Sequence, residues 1–118
     1  MHLSEDSTDS QLLKDKLSAY PDALAQRVLE FRSAPDATLA SEIVVDILRY
    51  HEPDRFTALY AEKGDALALI EDLGMDSLTM TEIAFEAEDF LDITITNEDM
   101  IAMQTVADLK SYIVRAIS

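Results

Sequence analysis

Apolar residues recur every three or four positions along most of this chain, the pattern of helices that each bury one face. The first nine residues show no apolar period and are expected to be disordered. Leu13 and Leu17 then stand four apart in a run that Ser10 can cap and that stops before Pro21. Pro21 and Asp22 open a second helix, with Leu24, Val28 and Phe31 on one stripe, which ends before Pro35. A third starts at Asp36 or Thr38 and runs to about Tyr50; Leu39, Ile43, Ile47 and Tyr50 form its apolar stripe, while Ser41, Glu42, Asp46 and Arg49 fall on other faces. Residues 51–75, punctuated by Pro53 and Gly64, read as a long connection containing at most a single helical stretch around Phe56, Leu59 and Tyr60. Helical period resumes at Asp76 and lasts to about Leu91 without Gly or Pro. The alternation at residues 93–96 suggests a strand, yet Thr96 or Asn97 followed by Glu98 and Asp99 is a helix start, so a short extended piece leading into a short helix is predicted. A last helix from Thr105 to about Ile117 aligns Val106, Leu109, Ile113 and Ile117.

Composition sharpens this to an all-α domain. The 118 residues include only two Gly and three Pro, the main helix breakers, and 48% are hydrophobic, enough for one domain with its own core. The absence of Cys excludes a disulfide scaffold, a thiolate metal site and a cysteine nucleophile. The acidic, polar start is no secretory signal, and no segment reaches the roughly 20 apolar residues of a membrane span, so a cytoplasmic protein is expected.

Charge points to the kind of partner. With 24 acidic residues against nine basic ones, the net charge of −15 argues against nucleic acid, whose backbone is held by Lys and Arg. The acidity is uneven: residues 65–118 carry 12 acids and two bases, whereas residues 1–64 carry 12 and seven. Charge concentrated in this way steers encounters with basic surfaces, which makes the second half the candidate working end.

The chemistry concentrates in IEDLGMDSLTMTEIAFEAEDFLDITI. Gly74 supplies a flexible joint and Asp76 can cap the following helix, so Ser77 sits at the mouth of that helix. A hydroxyl there is exposed to a modifying enzyme, and the free N–H groups and positive dipole end would tolerate a phosphodiester. Glu71 to Leu78, an acidic loop followed by Leu-Gly-x-Asp-Ser-Leu, resembles the attachment signature of acyl carrier proteins. Glu82, Glu88 and Asp89 match acidic positions of that family's second helix, Ile95 and the acidic segment behind it its third, and Val106, Tyr112 and Ile113 its last. The likeness covers residues 66–114 without a gap, and the helix at 37–50 resembles the family's first.

The resemblance implies a four-helix bundle over residues 36–118, preceded by an N-terminal tail and additional helices over 1–35. It implies 4′-phosphopantetheine, donated from coenzyme A, on Ser77 between Asp76 and Leu78, with acyl groups carried as thioesters on its thiol. Such a chain is a carrier in fatty acid or specialised lipid biosynthesis and not an enzyme. Its partners are a phosphopantetheinyl transferase and acyl-loading, condensing or modifying enzymes with basic patches, and a monomer is expected. A polyketide or peptidyl carrier is an alternative cargo class. An acidic helical adaptor without a prosthetic group is an alternative of another kind. Thr79 and Thr96 stand where the family often has Asp and Pro; Phe85 and Ala87 replace its more usual Met or Val and a larger apolar residue.

Other readings of these residues are weaker. A lone serine before a helix is most often only a cap, and the flanking pattern is what raises Ser77 above that. A hydrolase elbow needs Gly-x-Ser-x-Gly, whereas Gly74 lies three before Ser77 and Thr79 two after it. His2 and His51 have no matching metal or base motif and are expected to face solvent. Glu82, Glu86 and Asp89, spaced i, i+4 and i+7 with Glu88 beside them, form an acidic stripe; composition alone favours a solvated face, whereas the family resemblance together with the charge complementarity of a basic patch favours a docking surface. Leu78 and Phe85 are the candidate apolar contacts within that frame, Phe85 being equally able to join the core. Met80, Ala84, Ile93, Ile95, Met100, Met103, Val106, Leu109 and Ile113 should line the interior, where Met and Ala pack adaptably enough to admit an acyl chain.

Overall fold

A computed structural model describes residues 13–117. The expected disorder of the first nine residues, the cap at Ser10 and the exposure of His2 lie outside that range. Residues 13–17 are helical (α1). They lead to α2 (Asp22–Ser33), α3 (Ala37–His51), α4 (Pro53–Lys63), a 3-10 turn (Gly64–Ala66), α5 (Ser77–Leu91), α6 (Asn97–Ala102) and α7 (Val106–Ile117). Among the described residues the only extended pairing is one antiparallel bridge, Ala68 with Thr105.

Side-chain caps set most of the starts that matter. Asp36 accepts from the Leu39 N–H at 2.9 Å and Thr96 from the Asp99 N–H at 3.1 Å, each satisfying a donor that the first helical turn leaves free. At α7, Thr105 and Asp108 reciprocate: the Asp108 N–H donates to Thr105 Oγ1 and the Thr105 N–H to Asp108 Oδ2, both at 3.2 Å, in the manner of a capping box.

The chain is a four-helix bundle of α3, α5, α6 and α7 with α1, α2 and α4 added to it. α3 is the central element, packed against α2, α4, α5 and α7. Its apolar face is wider than one stripe: Ala40, Ile43, Val44, Ile47 and Leu48 are all buried, whereas Tyr50, expected on that face, is 41% exposed. Leu17, Leu24, Val28 and Phe31 of the N-terminal helices enter the same core as Ile83, Phe90, Leu109 and Ile113 of the bundle. Each such side chain contributes about 1.5–3 kcal/mol through burial.

The stretch read as a long connection is the largest correction to the elements. Residues 53–63 form a full helix, because Pro53 needs no N–H partner at its first position and Phe56 reaches the core with no exposed surface. Gly64, at φ +60°, ends it. The remaining loop is anchored by its own side chains: Leu67, Leu69, Leu73 and Met75 are buried, and Leu69 N–H donates to Gln104 O at 2.9 Å.

Candidate functional site

The loop that precedes α5 is held from two sides. Asp72 accepts from the Ala68 N–H and from Lys63 Nζ, both at 2.8 Å, and these contacts, the lysine first, hold its carboxyl below the ordinary carboxylate range. Arg55 donates from Nη1 to Leu73 O at 2.9 Å. Gly74 follows at φ +69°, a left-handed conformation that side chains resist, and a Cβ there would stand 3.0 Å from the same Arg55 nitrogen. Asp76 then caps α5, accepting from the Thr79 N–H at 2.8 Å, and this backbone bond lowers its carboxyl below the usual range. The result is that Ser77 is the first residue of a 15-residue helix and is exposed. Its backbone carbonyl accepts from Thr81 Oγ1 at 2.8 Å, while among the described residues its hydroxyl has no partner.

Beside Ser77 opens a cavity of about 430 Å³ between α5, α6 and the link joining them. Met80, Ala84, Ile95, Met100 and Met103 form its wall, and Ile70, Phe85 and Ile101 its rim with Ser77. Five of the eight residues expected around an acyl chain therefore meet there. Ile93 lies elsewhere, in a shallow depression with Phe31, Leu91 and Ile117, because the left-handed turn at Asp92 (φ 56°) rotates it off the cavity side. Val106 and Leu109 are fully enclosed in the core and do not reach the cavity; Ile113 is likewise core.

The exposed apolar residues around Ser77 are numerous. Leu78 is 66% exposed and Phe85 60%, so Phe85 belongs to the surface and not to the core. Ile70 (61%) and Ile101 (82%) join them, and sequence reasoning missed both. The signals were present: Leu69 and Leu73 stand four apart across a helical-type turn and are both buried, which leaves Ile70 outside, and Ile101 follows Met100 by one helical step.

The acidic stripe differs from expectation. Glu82 keeps a side chain 52% exposed, its nearest base being His51 Nδ1 at 3.9 Å. Glu86, its side chain only 12% exposed, pairs with His51 Nε2 and accepts from the Tyr20 hydroxyl. His51 is thus not solvent-facing; only 12% of its side chain is exposed, and it stacks edge-on at 5.4 Å from Tyr50. Asp89 pairs with Lys16, and its carbonyl accepts from Arg32 Nη1 at 3.0 Å. Glu88 turns towards the cavity and accepts from the Ile95 N–H at 3.0 Å, bracing the link before α6. The two N-terminal helices and the bend between them lay cations and a phenol on a face that periodicity alone left open.

Among the described residues no group of acidic or histidine side chains has the arrangement of a metal site, and no helix is long and apolar enough to cross a membrane. What the geometry offers is an accessible alcohol at a helix start, next to an apolar recess.

Comparison with known proteins agrees with that geometry. Residues 57–113 match the family described as phosphopantetheine attachment site. An acyl carrier protein of Rhodococcus erythropolis is 39% identical over 46 residues, which is 39% of this chain and 50% of that protein. A meromycolate extension acyl carrier protein of Mycolicibacterium aurum is 41% identical over 46 residues, covering 39% of this chain and 47% of its own length. An acyl carrier protein of an Exiguobacterium species is 46% identical over 43 residues, 36% of this chain and 54% of that protein. The chain thus spans about half the length of the curated relatives it matches. No solved structure matches significantly.

Proposed function

We propose that this chain, whose residues 57–113 match the phosphopantetheine attachment family, is a carrier of acyl intermediates in lipid biosynthesis, with Ser77 as its point of attachment. The observation that carries the reading is an exposed Ser77 with a free hydroxyl, on the first turn of a capped helix, beside a cavity walled by Met and Ala. The residues fit the group. Ser77 Oγ is the ester oxygen, Asp76 and the Arg55 contact to the preceding loop fix where it stands, and the positive end of the α5 dipole favours the negative phosphodiester. When bound, 4′-phosphopantetheine supplies a thiol on which acyl groups are held as thioesters.

The chain's own residues contribute shelter and access. Met80, Met100 and Met103 can shift to admit an apolar chain and keep water from it, and the volume lies within the roughly 300–1,000 Å³ usual for small-molecule sites. Leu78, Phe85, Ile70 and Ile101 form an apolar collar around Ser77 for a partner enzyme, with Glu82 the acid of the stripe nearest to free. In this reading the protein is a shuttle and not a catalyst: a tether raises the local concentration of cargo at each enzyme it visits. Residues 36–118 serve as the carrier domain and residues 1–35 as an extension docked on it, in the cytoplasm, with a phosphopantetheinyl transferase and acyl-loading or condensing enzymes as partners. The likeness to relatives named for meromycolate extension favours a lipid cargo over a peptide.

Intact mass tests it. Incubation with coenzyme A and a broad-specificity transferase is expected to add one phosphopantetheinyl group to the wild type and none to Ser77→Ala. Addition to both, or to neither, sinks the reading.

A further inference from the structure

The acids of α5 already have an occupant. Lys16 pairs with Asp89, the Tyr20 hydroxyl with Glu86, and Arg32 with the Asp89 carbonyl, so one ammonium, one phenol and one guanidinium from α1, α2 and the bend between them lie where a basic protein surface would place its own donors. The seat is partly apolar: Leu17 is buried, and the Tyr20 ring rests edge-on against Phe90 at 5.2 Å and tilted on Tyr50 at 4.6 Å. Its polar edge is loose, since Lys16 and Asp89 are each about half exposed (48% and 47%), and an ion pair in that setting is weak and easily exchanged.

We propose that the N-terminal segment is a built-in competitor for the acidic flank of α5, which an enzyme with a basic docking patch must displace to reach Glu86 and Asp89. Until it is displaced, Glu82 is the acid of the α5 stripe left most open beside the apolar collar around Ser77. The segment thereby selects partners: enzymes that dock through apolar contact meet no obstacle, while those relying on a basic patch compete with Lys16 and Tyr20. This rests on the carrier reading for the identity of the partners, but the cover itself is a property of the chain's own fold.

The test uses the full chain with Lys16→Ala and with Lys16→Ala/Tyr20→Phe, which keep the buried Leu17 and the Tyr20 ring. Lys14→Ala is the control; it removes the same charge from an exposed position that makes no ion pair among the described residues. Two readouts are taken, the affinity for a lysine-rich helical peptide by fluorescence anisotropy and kcat/KM for arm transfer by a transferase with a basic patch. The double variant is expected to gain roughly three- to tenfold in both, the range corresponding to one freed exposed pair and one freed hydrogen bond, with a steeper decline in salt. Lys14→Ala should stay within about twofold of the wild type, as an unpaired surface charge should. A double variant that matches the control, or that docks more weakly than the wild type, overturns the proposal. Should the wild type never accept the arm, the carrier reading fails, and the peptide affinities alone decide the cover.

Discussion

The two flanks of α5 carry different physics on one helix. On the flank towards α6, Phe85 stands 60% exposed at the rim of a cavity, Ser77 and Leu78 are open, and Met and Ala pack behind them. On the flank towards α1 and α2, Phe90 has no exposed surface, Glu86 holds His51 and Tyr20, and Asp89 holds Lys16. Two phenylalanines five positions apart have opposite duties, because five residues at 100° each turn the side chain to the other side of the helix. One flank is finished as a protein interior and the other is left incomplete, as the proposed carrier role requires.

Truncating each phenylalanine tests this contrast most severely. Phe90→Ala should lower the unfolding free energy by about 3–5 kcal/mol, the cost of a cavity in a packed core. Phe85→Ala should change it by no more than about 0.5 kcal/mol, as at an exposed site, while weakening partner docking. Urea denaturation of both variants reads the pair, and similar losses would break the comparison.

Gly74→Ala probes the open flank from the loop that presents Ser77. Its left-handed backbone and the Arg55 nitrogen 3.0 Å from the new Cβ predict a loss of about 1–2 kcal/mol, together with slower arm transfer. Thr96→Ala removes the cap of α6, at a cost of about 1 kcal/mol, and should raise amide exchange in Met100 and Ile101 while leaving Tyr20 and Phe90 protected.

pH separates the flanks with the smallest effects. The carboxyl of Asp76 is depressed from its ordinary 3.8 by the Thr79 N–H, so its contribution is present above about pH 4 and is lost as pH falls through its folded value. The Tyr20 phenol is raised above its ordinary 10.0, by burial first and by the Glu86 bond second, so its contribution is present below pH 10 and is lost as pH climbs beyond that. Thermal melts of Asp76→Asn and Tyr20→Phe should each flatten only its own arm of the profile.

Reading order along the chain explains why the open flank was the more legible. The start of α5, its cap at Asp76, the short helix after Thr96 and the exposure of Ser77 all follow from residues within four positions of one another. The closed flank depends on pairs such as Lys16 with Asp89, 73 residues apart, and Tyr20 with Glu86, 66 apart. His51 was read as solvent-facing for the same reason, since its partner Glu86 lies 35 residues on. The helix at 53–63 was under-read because Pro53 marks a break as readily as a first turn, and only the burial of Phe56 decides between them.

By itself, then, the order of residues determined an all-α chain, the limits of its principal helices and a serine offered at a helix mouth, because hydrogen-bond caps and side-chain period act over a single turn. Which acids stay free to meet another protein, and which residues line the recess beside Ser77, was decided only when distant helices packed. Charge pairing and burial depend on spatial neighbours, and a linear pattern does not record them.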